Sequence, residues 1–312
     1  MGGDGERFEW VVSPGEARMR LDRFLALRQQ LGTRSQIQRL IREGCVRIGR
    51  QQVKPGTALR AGDRVIVHRP IPRPPSVDPE PIDLNVLYED DAVLVINKPA
   101  GMVVHPAPGH WRGTLVNALL HRWRGSSLLA ELPRLGIVHR LDKDTSGVIL
   151  VAKSAAAQAE LGRQFRRREV RKQYLALTWG SFREPRGVIR EPIGRHPVHR
   201  QRMSVRARGR EAVTRYEVLE RFGDVTLLRA YPETGRTHQI RVHLAAAGHP
   251  LVADAQYGRG GGRRALPIER HALHAESVTF AHPVLGKDVR VTAPLPADFV
   301  ATLRALRELR CC

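Results

Sequence analysis

The 312-residue sequence predicts an α+β protein: a large domain on a mostly antiparallel mixed sheet, preceded by a small helix-helix-strand domain. Three observations predict it. Strand-like and helix-like segments do not alternate regularly, which argues against a doubly wound parallel sheet. A proline-rich stretch, RPIPRPPSVDPEP from Arg69 to Pro81, disfavours both helix and central strand and reads as an extended spacer. Ahead of it, two short amphipathic segments lead into short β-rich ones. The expected division is 1–17 as an N-terminal extension, 18–70 as the small domain, 71–82 as the linker, 83–300 as the large domain and 301–312 as a C-terminal helix or tail.

In the small domain, MRLDRFLALRQQL places Leu21, Phe24, Leu25 and Leu27 at helical spacing. TRSQIQRLIREG opens with Thr33 and Gln36 in a capping-box arrangement and stops at Gly44. CVRIGRQQV, turning at Gly49, and DRVIVHRP read as short strands. In the large domain, LNVLYEDDAVLVINKPAG predicts two strands meeting at the acidic turn Glu89 to Asp91. Further apolar stretches at GIV, GVILVA, QYLALTWG, AVTRYEVLER, DVTLLRAYPE and KDVRVTAPL read as strands. TLVNALLHRW, SAAAQAELGRQFRRREV and ATLRALRELR read as helices, and Gly258 to Arg264 as a mobile basic loop.

Lys plus Arg number 52 against 31 Asp plus Glu, a formal charge of +21 carried mainly by arginine. A solvated, arginine-biased surface accounts for this without a partner; nucleic acid accounts for it with one, because arginine neutralises phosphate. Cys45 stands alone and Cys311 adjoins Cys312, so no disulfide framework is expected and a reducing cytoplasm fits. No long apolar run predicts a membrane span, and MGGDGERFEW has no apolar signal core. On the second predicted helix, Arg34, Gln38, Arg39 and Arg42 form a basic and polar set that reads either as a solvated face or as an RNA contact.

Two clusters could carry chemistry. GIVHRLDKDTSGVILVAK sets His139, Arg140, Asp142, Lys143, Asp144, Thr145 and Ser146 in a short loop between apolar flanks, where reactive side chains are commonly held. The aspartates serve equally well there as turn formers. In TGRTHQIRVHLAAAGHP, Thr237 is expected to cap a helix that ends at Gly248, with Ile240, Leu244 and Ala247 as its buried stripe. His238 and Arg241 then share a face near the helix N-terminus, and a carboxylate seated beside Arg241 is held ionised by the opposite charge. In RKQYLAL, a strand turns Tyr174 and Ala176 to one side and Leu175 and Leu177 to the core, which lets the phenol face a cleft.

From Arg18 to about Pro70, through MRLDRFLA, TRSQIQRLIREGCVRIG and GDRVIV, the chain resembles the S-four-type RNA-binding module. That resemblance implies RNA docking through Arg34, Gln38, Arg39 and Arg42, largely on phosphate. From about Asp83 to Pro296 the chain resembles the RluA family of RNA pseudouridine synthases. The resemblance rests on LYEDDAVLVINKPAGMVVHP, HRLDKDTSG, RKQYLAL, ETGRTHQIRVHLAAAGHPLVADAQYG and RHALHAESVTFAHPVLGK. With GMVVHPAPGHWRGTLVNALLHRW it is most similar to the RluD-like branch acting on large-subunit ribosomal RNA. The resemblance implies Asp142 as the catalytic aspartate, Arg140 as the arginine that displaces the target base, Tyr174 as the ring over the uracil and Arg241 as the charge partner of Asp142. His139, Leu141 and Lys98 have supporting places, and Asp144 is a neighbour. No cofactor and no metal are implied, and a monomer with an RNA partner and no membrane is expected. One departure is Ala253 in LVADAQYG, where the family pattern leads us to expect glycine.

Three other readings compete. One is a transfer RNA enzyme of the same family. Another is a non-catalytic ribosome-assembly or RNA-binding protein, which has no reason to retain Asp142, Tyr174 and Arg241 together. The last is a metal hydrolase using Asp142, Asp144 and some of His105, His139, His238 and His243, although no tight metal-ligand spacing is present.

Overall fold

A helix needs its apolar residues on one face, and Leu21, Phe24 and Leu25 supply that for α1 (Leu21–Ala26), all three buried. The next helix, α2 (Arg34–Arg42), buries Ile37 and Ile41 against it, and the chain leaves at Gly44 with φ 74°. Both cover a four-stranded antiparallel sheet of β1 (Gly5–Val11), β2 (Val46–Ile48), β3 (Gln51–Gln52) and β4 (Arg64–Pro70), ordered β1-β4-β2-β3. The computed structural model describes residues 5–28, 31, 34–49, 51–70, 77–107, 109–126, 132–258 and 265–309. The chain divides into two units, Met1–Ser76 and Val77–Cys312.

Several local expectations are revised. Residues 5–11 belong to the small domain and not to an extension before it: β1 pairs along all of β4, with Phe8 and Trp10 half-buried toward the core of the unit and their rings stacked at 5.7 Å. The first helix stops at Ala26, and Leu27 is exposed. Residues 77–82 are not a free spacer. The Asn117 side chain donates to Asp78 O, Glu80 N donates to Asn117 O, and Val77 and Ile82 pack on the core of the large unit. Thr33, residues 71–76, the basic loop after Gly258, and Cys311 with Cys312 lie outside the described residues.

The large unit is built on a nine-stranded sheet. Its members in chain order are β5 (Val86–Glu89), β6 (Val93–Lys98), β7 (Ser146–Ala152), β8 (Arg171–Trp179), β9 (Arg186–Ile189), β12 (Thr214–Arg221), β13 (Val225–Pro232), β14 (Leu273–Ala281) and β15 (Asp288–Thr292). A separate ribbon pairs β10 (Ile193–Arg195) with β11 (Met203–Val205). The large sheet runs β5-β6-β7-β14-β8-β13-β12-β9, with β15 on β14. Every pairing is antiparallel except the short parallel contact of β7 with β14.

Helices cover both faces, which is why the central strands read as continuous apolar runs instead of alternating ones. On one face α3 (Leu115–Arg122) packs on Leu94, Ile96, Ile149 and Val151; on the other α4 (Ala155–Arg167) packs on Val93, Val95, Val148 and Leu150. Farther along, α5 (Gln239–Ala246) covers Ala176, Leu228 and Ala230, and α6 (Ala297–Glu308) covers Leu175, Leu177, Trp179 and Leu227. Leu175 and Leu177 therefore face a core as expected, but the Tyr174 and Ala176 side of β8 is covered as well, with Ala176 fully buried. Residues 297–308 form an integral helix: Phe299, Leu303 and Leu306 of α6 are buried in that core.

Candidate active site

The loop from Val138 to Thr145 hangs between two anchors of different kind. On its far side β7 is a fully buried central strand. On its near side the predicted GIV strand is reduced to a single bridge, Ile137 to Val151. Arg134, Leu135 and Gly136 take left-handed backbone (φ 53°, 52° and 70°), and Gly136 lies so close to the Ala152 backbone that no side chain fits. Gly147, just past the loop, is likewise obligatory: at φ 110° its missing Cβ leaves room for the Ala275 carbonyl in the parallel pair.

Side chains from three directions then fix the loop. From below, Lys98 is fully buried, and its ammonium donates to three carbonyls, Pro99 O at 2.7 Å, Met102 O at 2.9 Å and Lys143 O at 3.0 Å. Burial pushes it down to about 7, while Asp144 and Asp142 favour its charge. From the β14 side, Arg270 donates to Asp144 O at 2.8 Å and to the Ser146 hydroxyl at 3.2 Å while holding Asp298 of α6 through two bonds. His271 Nε2 pairs with the Thr145 hydroxyl at 2.8 Å and His274 Nδ1 with that of Ser146 at 3.0 Å. From within, Leu141 is buried in the α3 core, and His139 accepts from Leu150 N at 2.8 Å and stacks on Phe165. Burial pushes His139 down to about 3, so its ring is neutral.

What this leaves free is Asp142. Its side chain is 18% exposed and sits where two cavities meet, one of about 940 Å³ and one of about 620 Å³. Arg140, Leu141, His238 and Arg241 also line both. Arg140 is exposed and makes no hydrogen bond or ion pair among the described residues. Tyr174 lines the smaller cavity with Asp142; burial, then the Asp142 charge, pushes its phenol well above the ordinary range, so it stays protonated. Asp144 lines the larger cavity only.

The expected pairing of Arg241 with Asp142 is present, but it is a minor part of what Arg241 does. Nη1 donates to Asp142 Oδ2 at 3.3 Å, whereas Nε and Nη2 donate to both oxygens of Asp254 at 2.9 Å each. Asp254 has a fully buried side chain and also accepts the backbone N–H groups of Gln256 and Tyr257 at 3.0 Å. Burial opposes its charge, and the bonds from Arg241 and the two amides outweigh burial and hold the carboxyl below its usual range. The guanidinium also lies 5.0 Å over the Tyr257 ring. His238 Nε2 stands 3.9 Å from Asp142 Oδ1. The Tyr257 hydroxyl accepts from Met203 N and lies 2.8 Å from His238 Nδ1, which favours the tautomer that turns Nε2–H toward Asp142.

Two details of this helix differ from expectation. Its N-cap is His238, in left-handed backbone at φ 56°, with no side-chain cap from Thr237; the kink is what presents His238 and Arg241 together to Asp142. Ala247 is exposed, because the helix is buried all round from Gln239 to Leu244 instead of along one stripe. Asp254, Tyr257, Arg270 and His271 were not singled out as site residues from the sequence, whereas His238 was marked beside Arg241. The usable signal for Asp254 was that a buried arginine demands a buried carboxylate. Ala253, the departure from glycine, carries φ 55°, so the position is left-handed and the alanine bears the strain.

In the small unit, Arg34, Gln38 and Arg42 recur every four residues along α2. Arg34 and Gln38 are turned to Asp22, at 2.9 Å and 3.1 Å, and Arg39 lies 3.7 Å from Glu43. Among the described residues no group of three or more His, Cys, Asp or Glu is close enough to hold a metal, and no helix is long and apolar enough to cross a membrane.

Residues 92–246 match the family model described as RNA pseudouridylate synthase, and residues 19–65 match the S4 domain. The chain is 45% identical to a ribosomal large subunit pseudouridine synthase D of Xanthomonas campestris, over 96% of this chain and 92% of that one. It is 43% identical to the protein of the same name from Nitrosomonas europaea (96% and 88%) and 44% identical to an uncharacterized RNA pseudouridine synthase of Bacillus subtilis (93% and 94%). Among solved structures, human RNA pseudouridylate synthase domain containing 1 is similar at a TM-score of 0.56 and 31% identity, over 77% of this chain and 98% of that one.

Proposed function

Because the chain belongs to the RluA family of RNA pseudouridine synthases and carries an S4 domain, we propose that this isomerase acts on uridines of large-subunit ribosomal RNA in the cytoplasm, with Asp142 as the catalytic residue. The reaction breaks the bond from the ribose to N1 of uracil and joins the same ribose carbon to C5. The C5 proton is lost and N1 gains one, so no oxidant, reductant or water is consumed.

The observation that carries this reading is the contrast within the loop: His139, Leu141, Thr145 and Ser146 are committed to the scaffold, while Asp142 is the carboxylate that lines both cavities, beside a cation. A uridine must leave its stack to reach such a carboxylate. Extrusion costs a few kcal/mol, and the unpaired Arg140 is placed to fill the gap left in the RNA. Tyr174 gives the extruded uracil a ring to stack on, worth about 1–3 kcal/mol per base in other proteins. His238 and Arg241 hold the carboxylate in position from two sides. The relatives named ribosomal large subunit pseudouridine synthase D favour a ribosomal over a transfer RNA target, and the +21 charge suits a polyanionic substrate of either kind.

The test is Asp142→Asn, assayed by pseudouridine mapping on unmodified large-subunit RNA and on transfer RNA. Retained RNA binding with product abolished supports the reading; unchanged product formation overturns it. Modification confined to transfer RNA would overturn the ribosomal target alone.

A further inference from the structure

Lys172 has no place in the chemistry above, although it sits two residues before Tyr174 in the same strand. Side chains at i and i+2 of a strand share a face, so Lys172 and Tyr174 project to the same side of β8. Both line the 620 Å³ cavity that also holds Asp142. The side chain is half-buried, and it makes no hydrogen bond and no ion pair among the described residues. Two other cations of that wall, Arg140 and Arg166, are likewise unpaired among the described residues but are exposed to solvent, and the rest are held by protein groups. Arg168 is paired with Glu211 at 3.2 Å, and Arg236 donates to Glu211 O at 3.0 Å. Glu233, an acid on the same wall, is committed to Arg215.

An ammonium removed from water without a partner is costly, and proteins keep one in a cleft chiefly where a ligand completes it. Burial alone pushes Lys172 down to about 8, with no carboxylate close enough to restore it. We infer that Lys172 is a phosphate subsite: it receives a phosphodiester flanking the extruded uridine while Tyr174 receives the base. An RNA substrate offers anions only in its backbone, and the uracil ring offers only neutral carbonyls, so a cation with no acid of its own is matched to the phosphate. Two residues of strand separate the lysine from Tyr174 by about 7 Å, the scale of a base and its own backbone. The inference rests on the pseudouridine synthase reading and adds to it which group fixes the flipped nucleotide's register.

The experiment uses the full chain and an unmodified large-subunit RNA transcript. RNA affinity is measured against salt in an Asp142→Asn background, and kcat and KM in the active one, for Lys172→Met, Lys172→Gln and Lys172→Arg. Loss of one single-stranded phosphate contact lowers the slope of log affinity against log salt by about 0.7. Lys172→Met and Lys172→Gln are expected to show that drop together with a rise in KM of about 10- to 100-fold, the size of one hydrogen bond to a charged group. Lys172→Arg is expected to keep both near wild type. Should the methionine variant melt early, the glutamine and arginine variants decide the question alone. An unchanged salt slope overturns the subsite, and so does full activity in Lys172→Gln, which would mean a neutral carbonyl contact. If the unaltered enzyme makes no pseudouridine, the parent reading fails, whereas a slope difference between variants still reports the lysine.

Discussion

The tripeptide Arg-Leu-Asp occurs twice, at Arg20 to Asp22 in the small unit and at Arg140 to Asp142 in the large one, and the two copies have opposite fates. In the first, the arginine folds back on its own aspartate at 3.1 Å; Arg34 and Gln38 of α2 close on the same carboxylate, which is wholly buried. The Arg20 bond, followed by Arg34 and Gln38, outweighs burial and drives the Asp22 carboxyl far below the usual range. In the second, Arg140 turns away into the cavities, and Asp142 keeps a single guanidinium contact at 3.3 Å from an arginine bound more tightly to Asp254. A saturated carboxylate holds two helices together, and one left partly unsatisfied is available to react. The same residues serve structure or chemistry according to how many donors their surroundings supply.

The sharpest way to break this comparison is to neutralise each aspartate in turn. Asp142→Asn is expected to lower kcat on the order of 10⁴-fold with an unchanged melting temperature, since no packing depends on the charge. Removing the support behind it should cost less. Asp254→Asn frees Arg241 from its main anchor, and a positioning partner of this kind is worth about 10- to 100-fold in activity. The fall should appear in kcat more than in KM, and an unchanged kcat would mean that Asp142 alone orients Arg241. Asp22→Asn should do the reverse, destabilising the small unit by about 2 kcal/mol through loss of charge-assisted hydrogen bonds. Turnover on a short, saturating RNA should survive. A thermal melt with a kinetic assay on each variant separates the two fates.

Acid sharpens the comparison by the sign of the shifts. Asp22 is held below its unfolded value of 3.8, so what it contributes is present above that pH and is lost only as pH falls further. His271, which clamps Thr145 of the loop that carries Asp142, is pushed down by burial to about 4 from 6.5. Its unfolded form takes up a proton first, so stability falls as pH drops from about 6.5 toward 4. By pH 5.5 the loss is about 1 kcal/mol. Hydrogen exchange in residues 141–146 should therefore accelerate in mild acid while α1 and α2 stay protected. His271→Gln should remove part of that slope, and equal acid sensitivity in both units would contradict the assignment.

Legibility in the sequence followed locality. The helix after Ser154 and the strands at GVILVA and DVTLLRAYPE were readable because period and caps lie within a dozen residues. HRLDKDTSG announced a fixed loop because Gly147 and the apolar flanks are adjacent to it. The role of Arg270, in contrast, depends on Asp144 and Asp298 at once, distant in sequence and joined only by the β7–β14 pairing. Asp254 was hidden for the same reason, although it lies only 13 residues past Arg241. The turn that brings it back depends on backbone at Ala253 that no propensity favours. Arg34 and Gln38 were expected to contact RNA because of the resemblance to the S-four-type module, and the pair also ties α1 to α2, which periodicity on one helix cannot reveal.

Ala253 itself gives the smallest and most direct test. At φ 55° an alanine places its Cβ against its own carbonyl, a cost of about 1–2 kcal/mol that glycine does not incur. Glycine returns part of that advantage, about 0.4–1 kcal/mol, as extra freedom in the unfolded chain. The balance for Ala253→Gly is a gain of about 0.5–1 kcal/mol, or roughly 2 °C in melting temperature for a unit of this size. A rise of that order means the strain is real and is supported by the Asp254 network, whose bonds to Arg241 and to the Gln256 and Tyr257 amides hold the turn closed. A fall would mean that the alanine methyl contributes packing beside the larger cavity that outweighs its backbone cost. Repeating the substitution in Asp254→Asn decides between them: if the network holds the strained turn, glycine should stabilise the double variant differently from the parent, and if packing dominates, the two effects should add.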